Sequence, residues 1–193
     1  MGWFVDIKLG KKQKERLLKH WRDGQDQARL KAVAWHNAQK ASRLSEAKKQ
    51  SDAVLKNLDL GNPDILDLAM AFLYFGEGFK SNDETGIGNS DPLILKTFLY
   101  ILRKNYNIDI TKIRCELYLR ADQDGAEMKK YWAKELNMPI ENFKHVSFDK
   151  RTIGSKTFLN YHGVCGLRCA NVAIQRKLLN ISRDFCERLL KRV

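Results

Sequence analysis

Between Asp67 and Glu77 the chain carries no charge, and Leu68, Ala69, Met70, Ala71, Phe72, Leu73, Tyr74 and Phe75 run straight into Gly76-Glu77-Gly78. Apolar side chains all round such a helix leave it no solvated face, so it has to be buried in a core or an interface. The two glycines predict an exit with positive backbone angles and a close approach by another backbone or a ligand. Glu77 is the one charge at the tip of this element. A carboxylate held there is costly unless it is paired, hydrated or bound to a cation.

This stretch resembles the signature helix of the LAGLIDADG homing endonucleases, in its Gly-Glu-Gly form. In that resemblance Glu77 falls on the acid that binds the catalytic divalent metal, Gly78 on the last motif glycine and Gly76 on the small residue before the acid. Phe75 stands where the family often has its first Asp, and Phe72 where a glycine usually lets two such helices pack closely. Asn89-Ser90-Asp91-Pro92, Ile113-Arg114, Tyr131-Trp132, Met138-Pro139 with Phe143, and Tyr161-His162-Gly163 follow in order. Together with residues 74–80 this set is similar to small prokaryotic LAGLIDADG-like proteins that carry an N-terminal helix-turn-helix, over residues 60–193.

The resemblance implies an α+β chain: a LAGLIDADG-like αββαββα saddle domain at residues 62–193, with one extra helix, preceded by a long basic helical arm at 1–58. It also implies a homodimer on double-stranded DNA, in which Glu77 and the Gly76 carbonyl help to hold Mg²⁺ or Mn²⁺ and Lys80 stabilises charge near the phosphate. Under it the sheet lies on DNA, with Lys80, Arg114, Tyr118, Arg120, Lys150, Arg151, Lys156 and Arg168 as contacts. A DNA-binding regulator that does not cut and an RNA-binding relative remain as alternatives. Residues 3–9 resemble a segment that follows the helix-turn-helix in such proteins, so the chain is expected to start just after that element or just inside its last helix.

Charge points independently to a polyanion. The formal net charge is +12 and the pI is near 9.6, and neutralising phosphates releases condensed counterions. A basic but inert surface is the bland reading. There is no apolar run near the ~20 residues of a membrane span and no signal-peptide pattern, so a cytoplasmic, nucleoid-associated place is expected. Cys115, Cys165, Cys169 and Cys186 sit in apolar segments, as reduced thiols do. If residues 164–170 form a strand, Cys165 and Cys169 lie about 13 Å apart, too far to share one zinc ion.

Residues 11–58 hold no proline and are rich in helix formers. Thirteen Lys and Arg against five acids leave eight positive charges there, two thirds of the whole excess. Such a length predicts two helices broken near Asp23-Gly24. They would lie along phosphates, or merely carry solubilising charge around Leu17, Leu18, Trp21 and Trp35.

Asn62-Pro63-Asp64 opens the signature helix, and residues 79–89 read as two short strands around the polar turn Ser81-Asn82-Asp83-Glu84. Asp91 or Ser90 caps the next helix. Residues 112–120 alternate as a half-exposed strand with Arg114, Glu116, Tyr118 and Arg120 outward, open either to phosphates and bases or to a Glu-Arg cross-strand pair. An amphipathic helix at 125–137 is expected to bury Met128, Tyr131, Trp132 and Leu136. Strands at 143–148 and 163–170 flank a basic loop, and a last helix from Asn171 is expected to give Ile174, Leu178, Phe185, Leu189 and Leu190 to the core.

Overall fold

The computed structural model describes residues 8–80 and 83–192; the expectations for residues 1–7 and for Ser81 and Asn82 fall outside these. The chain forms two compact units, Met1–Leu58 and Asp59–Val193.

Among the described residues, the first unit holds one helix, α1 (Lys11–Lys56), of 46 residues with none buried. It does not break at Gly24. One glycine costs a helix only about 1 kcal/mol relative to Ala, less than the strong formers on either side supply.

The second unit is α+β, with a four-stranded mixed sheet and four helices. Its elements are α2 (Pro63–Glu77), β1 (Thr85–Asn89), α3 (Pro92–Tyr106), β2 (Ile113–Arg120), α4 (Gly125–Leu136), β3 (Phe143–Asp149), β4 (Val164–Cys169) and α5 (Val172–Leu190). Helix starts are set by side chains that cap free backbone N–H groups: Asn62 accepts from Asp64, Asp91 from Leu93, Asp124 from Ala126 and Glu127, and Asn171 from Ile174. Pro63 and Pro92 occupy first turns, where no amide partner is lost. Asn107 and Asn137 end α3 and α4 in the left-handed conformation that Asn tolerates.

The strand order is β1-β4-β2-β3. Strand β4 runs antiparallel to both β1 and β2, while β2 and β3 are parallel across α4. Alternation turns Ile87, Cys115, Leu117, Leu119, Cys165 and Leu167 onto one face. There they join Met70, Tyr74, Phe98, Trp132, Ile174 and Leu178 from the four helices in a single core. Each such large side chain contributes about 1.5–3 kcal/mol on burial. Among the described residues, none of this unit's four helices packs on the other face. A buried polar group supports the arrangement: Asp67 accepts from Asn105, Tyr106 and Lys177. Burial pushes that carboxyl up, but these three donors outweigh it and hold it below the usual range.

Three expectations change. Gly78 leaves α2 at φ −76°, and no positive φ occurs at the Gly-Glu-Gly corner. Gly78 is required by space, because a Cβ there would lie 2.3 Å from the Tyr74 carbonyl oxygen. The two strands expected at 79–89 reduce to β1 and one bridge, Gly78 with Ile87, since the Phe79 carbonyl accepts from the Tyr74 hydroxyl and Gln175 instead of a ladder partner. The end of α5 stays outside the core, with Phe185, Leu189 and Leu190 exposed.

Candidate nucleic-acid interface

Register places Gly86 and Gly88 of β1, Val164, Gly166 and Arg168 of β4, Arg114, Glu116, Tyr118 and Arg120 of β2, and His145, Ser147 and Asp149 of β3 on the face without helices. The face has two unlike ends.

At the β1–β4 end the surface is closed by its own side chains. The Phe79 ring lies in a trough made by Gly86, Gly88 and Gly166, at each of which a Cβ would meet the ring within 3.4 Å. The Arg168 guanidinium sits 4.0 Å over that ring and donates to Glu84 (2.7 Å) and Glu116 (3.0 Å). Arg114 donates to the second oxygen of Glu84, and the Tyr118 hydroxyl to Glu116. Two guanidinium groups thus meet two carboxylates and cancel. Burial raises Glu116, but the Tyr118 hydroxyl and the Arg168 charge outweigh it and keep its carboxyl low.

At the carboxyl ends of the parallel pair β2 and β3 the surface opens into a cleft of about 710 Å³. Tyr118, Arg120, Lys150 and Arg151 line it together with Ser147, Phe148, Phe158 and Tyr161. Lys150 is exposed and has no ion-pair partner among the described residues. Arg151 grips Asp149 through two nitrogens yet stays open to water. Arg120 faces inward: its Nε donates to Thr157 and its Nη2 to Ser155, so it holds the following loop in place. Gly163 lets that loop rejoin β4. Its φ is +75°, and a Cβ would stand 2.4 Å from the Leu119 side chain.

Of the eight contacts expected from sequence, four gather at this cleft. Arg114 and Arg168 lie in the neutral cluster, and Lys156 is exposed on the loop. Lys80 follows α2, its ammonium 5.9 Å from the Phe75 ring. Sequence reasoning missed Glu84, which neutralises both arginines, and the aromatic lining from Phe148, Phe158 and Tyr161. Glu84 had no signal beyond a polar turn; Phe148 was legible only as an alternating strand residue.

At the tip of α2, Glu77 is exposed and has no hydrogen bond or ion pair among the described residues. Beside it runs an apolar strip of Ala69, Phe72 (38% exposed), Phe75 (45%) and Gly76, where Phe72 meets Phe185 of α5 edge to face. The helix that should have no solvated face therefore has one uncovered side. No three His, Cys, Asp or Glu side chains gather into a metal site among the described residues. Mg²⁺ draws one or two carboxylates from a protein and fills its six positions with water and phosphate oxygens. Glu77, with the Gly76 carbonyl, fits one chain's share of such a site.

No protein-family model matches this chain, and neither does any curated protein or solved structure.

Proposed function

We propose that this protein binds double-stranded DNA with the helix-free face of its sheet, and that the cleft at the ends of β2 and β3 is the centre of the contact. The observation that carries this reading is the gathering of Tyr118, Lys150 and Arg151 in one open cleft, with Lys150 unpaired. Cations at the rim meet phosphates and position the duplex; aromatic and polar groups inside meet base edges. The net charge of +12 supplies attraction and a steep salt dependence. Within its own unit, α1 adds a second basic surface with no buried residue.

A second reading, metal-dependent cleavage by a homodimer, is favoured by Glu77 and the strip next to it. An unpaired carboxylate serves a DNA binder poorly, because it repels phosphate. The strip offers a second copy an apolar helix side, and a dimer through α2 would bring two Glu77 side chains near one duplex. A divalent ion held there would polarise a phosphodiester and lower the pKa of a bound water. Glu77 would offer it one carboxylate, and Lys80 would hold positive charge near the tip of α2.

The test is to incubate wild-type protein and Glu77→Gln with plasmid carrying the protein's own locus, in Mg²⁺, Mn²⁺ or EDTA. Salt-sensitive binding by both proteins supports the interface. Discrete metal-dependent ends made only by wild type establish cleavage, and binding without ends leaves a non-cutting DNA-binding protein. Absence of binding at low salt overturns both readings.

A further inference from the structure

The loop from the end of β3 to β4 shows its apolar side chains outward while its backbone is tied down. Leu159 is 97% exposed, Phe158 83% and Ile153 71%. A loop that needs only water would carry polar groups at these positions. Nor is it slack. The Thr152 hydroxyl accepts from the Ala121 amide, Thr157 donates both its amide and its hydroxyl to Asp122, and Arg120 holds Thr157 and Ser155. Further on, Gln123 donates to the Tyr161 carbonyl and the Trp132 indole to that of His162. All but the Trp132 indole, which lies within α4, come from residues 120–123 at the β2–α4 corner, so the Phe158-Leu159 pair is held out from a braced base.

We infer that Phe158 and Leu159 form an apolar wedge that enters a base step of duplex DNA and partly unstacks it. This rests on the DNA-binding reading above and adds to it how the duplex is deformed. The surroundings select the occupant: Lys150 and Arg151 line the cleft with Phe158, and Lys156 precedes the pair by two residues, all exposed. A stacked polyanion matches that layout, with phosphates for the cations and base faces for the apolar pair, and minor-groove proteins combine basic flanks with apolar wedges in this way. Phe158 also lines the cleft, so the wedge adjoins the place where phosphate contact is proposed. Opening a base step has an unstacking cost, and a tip already fixed in place loses little further entropy on insertion.

The experiment relaxes closed-circular plasmid with a topoisomerase in the presence of wild-type protein, Phe158→Ser/Leu159→Ser, or Lys150→Ala/Lys156→Ala, and binding to the same plasmid is measured in parallel. Wild type is expected to bind and leave a lowered linking number, because an inserted wedge unwinds the helix. The serine variant should bind more weakly, because Phe158 also lines the cleft, and at equal occupancy it should lose the linking-number change while its cations still hold the phosphates. The lysine variant should lose affinity and need more protein for the same change. An unchanged melting temperature shows that each variant is folded. Binding without a linking-number change in wild type overturns the wedge and leaves the interface standing; absence of plasmid binding overturns the interface itself. Vesicles of phosphatidylcholine with and without phosphatidylglycerol supply the other arm. Adsorption of wild type to the anionic vesicles that is lost in the serine variant would make the loop a lipid-surface element and overturn the inference.

Discussion

At the β1–β4 end of the open face, Arg168 is buried against Phe79 and held by two carboxylates. At the ends of β2 and β3, Lys150 stands in water beside a cleft with no carboxylate partner. Both are cations of one basic domain, the first on the open sheet face and the second just beyond the end of β3. The first has its charge neutralised and serves the fold. The second keeps its charge available, as the proposed DNA contact requires. What separates them is the local supply of carboxylates, so residue type and strand position alone do not identify a contact.

The comparison is broken most sharply by Arg168→Met. Removing the guanidinium leaves Glu84 and Glu116 facing each other half-buried, and the loss of stability should be about 3 kcal/mol, read as a lower urea midpoint at unchanged slope. DNA affinity per folded molecule should stay close to wild type. Lys150→Ala/Arg151→Ala should do the reverse. Stability should hold within about 0.5 kcal/mol, as exposed sites allow, while the slope of log affinity against log salt should fall by about 2. If the two variants exchange phenotypes, the division of the face is wrong.

A smaller, graded effect comes from acid. Glu116 and Asp67 are both held below their ordinary values in the folded chain. Such groups add stability that is complete above the unfolded carboxylate range near 4 and is lost as pH falls through the lower folded values. Thermal melting from neutral pH downward should therefore show a flat region and then a fall. In Arg168→Met the part due to Glu116 should shrink, because the Tyr118 hydroxyl still donates to that carboxyl but the Arg168 charge is gone.

Much of the fold was legible because its signals are local. The starts at Asn62 and Asp91, the prolines behind them and the alternation of β2 each act within a few residues, and these elements formed where those signals placed them. Gly24 was over-read: in a long run of strong helix formers one glycine is a modest cost, not a break. The apolar run of α2 predicted cover on every side, yet Phe72 and Phe75 remain partly exposed, which periodicity could not foresee. The candidate site was legible by half. Tyr118 and Lys150 followed from alternation and from loop charge, whereas the fate of Arg168 depended on Glu84, 84 residues away.

By itself the sequence determined the helix starts, the half-exposed β2, the basic balance and the unusual charge-free run into Glu77. Only the tertiary structure decided that Phe79 fills a glycine trough, that Arg120 ties down a loop while Lys150 stays free, and that Phe158 and Leu159 are held into solvent. The reason is physical. Caps and periodicity are energies between near neighbours in the chain, whereas the partner of a charge, or the cover over an apolar side chain, is chosen by which strands the β1-β4-β2-β3 order brings together.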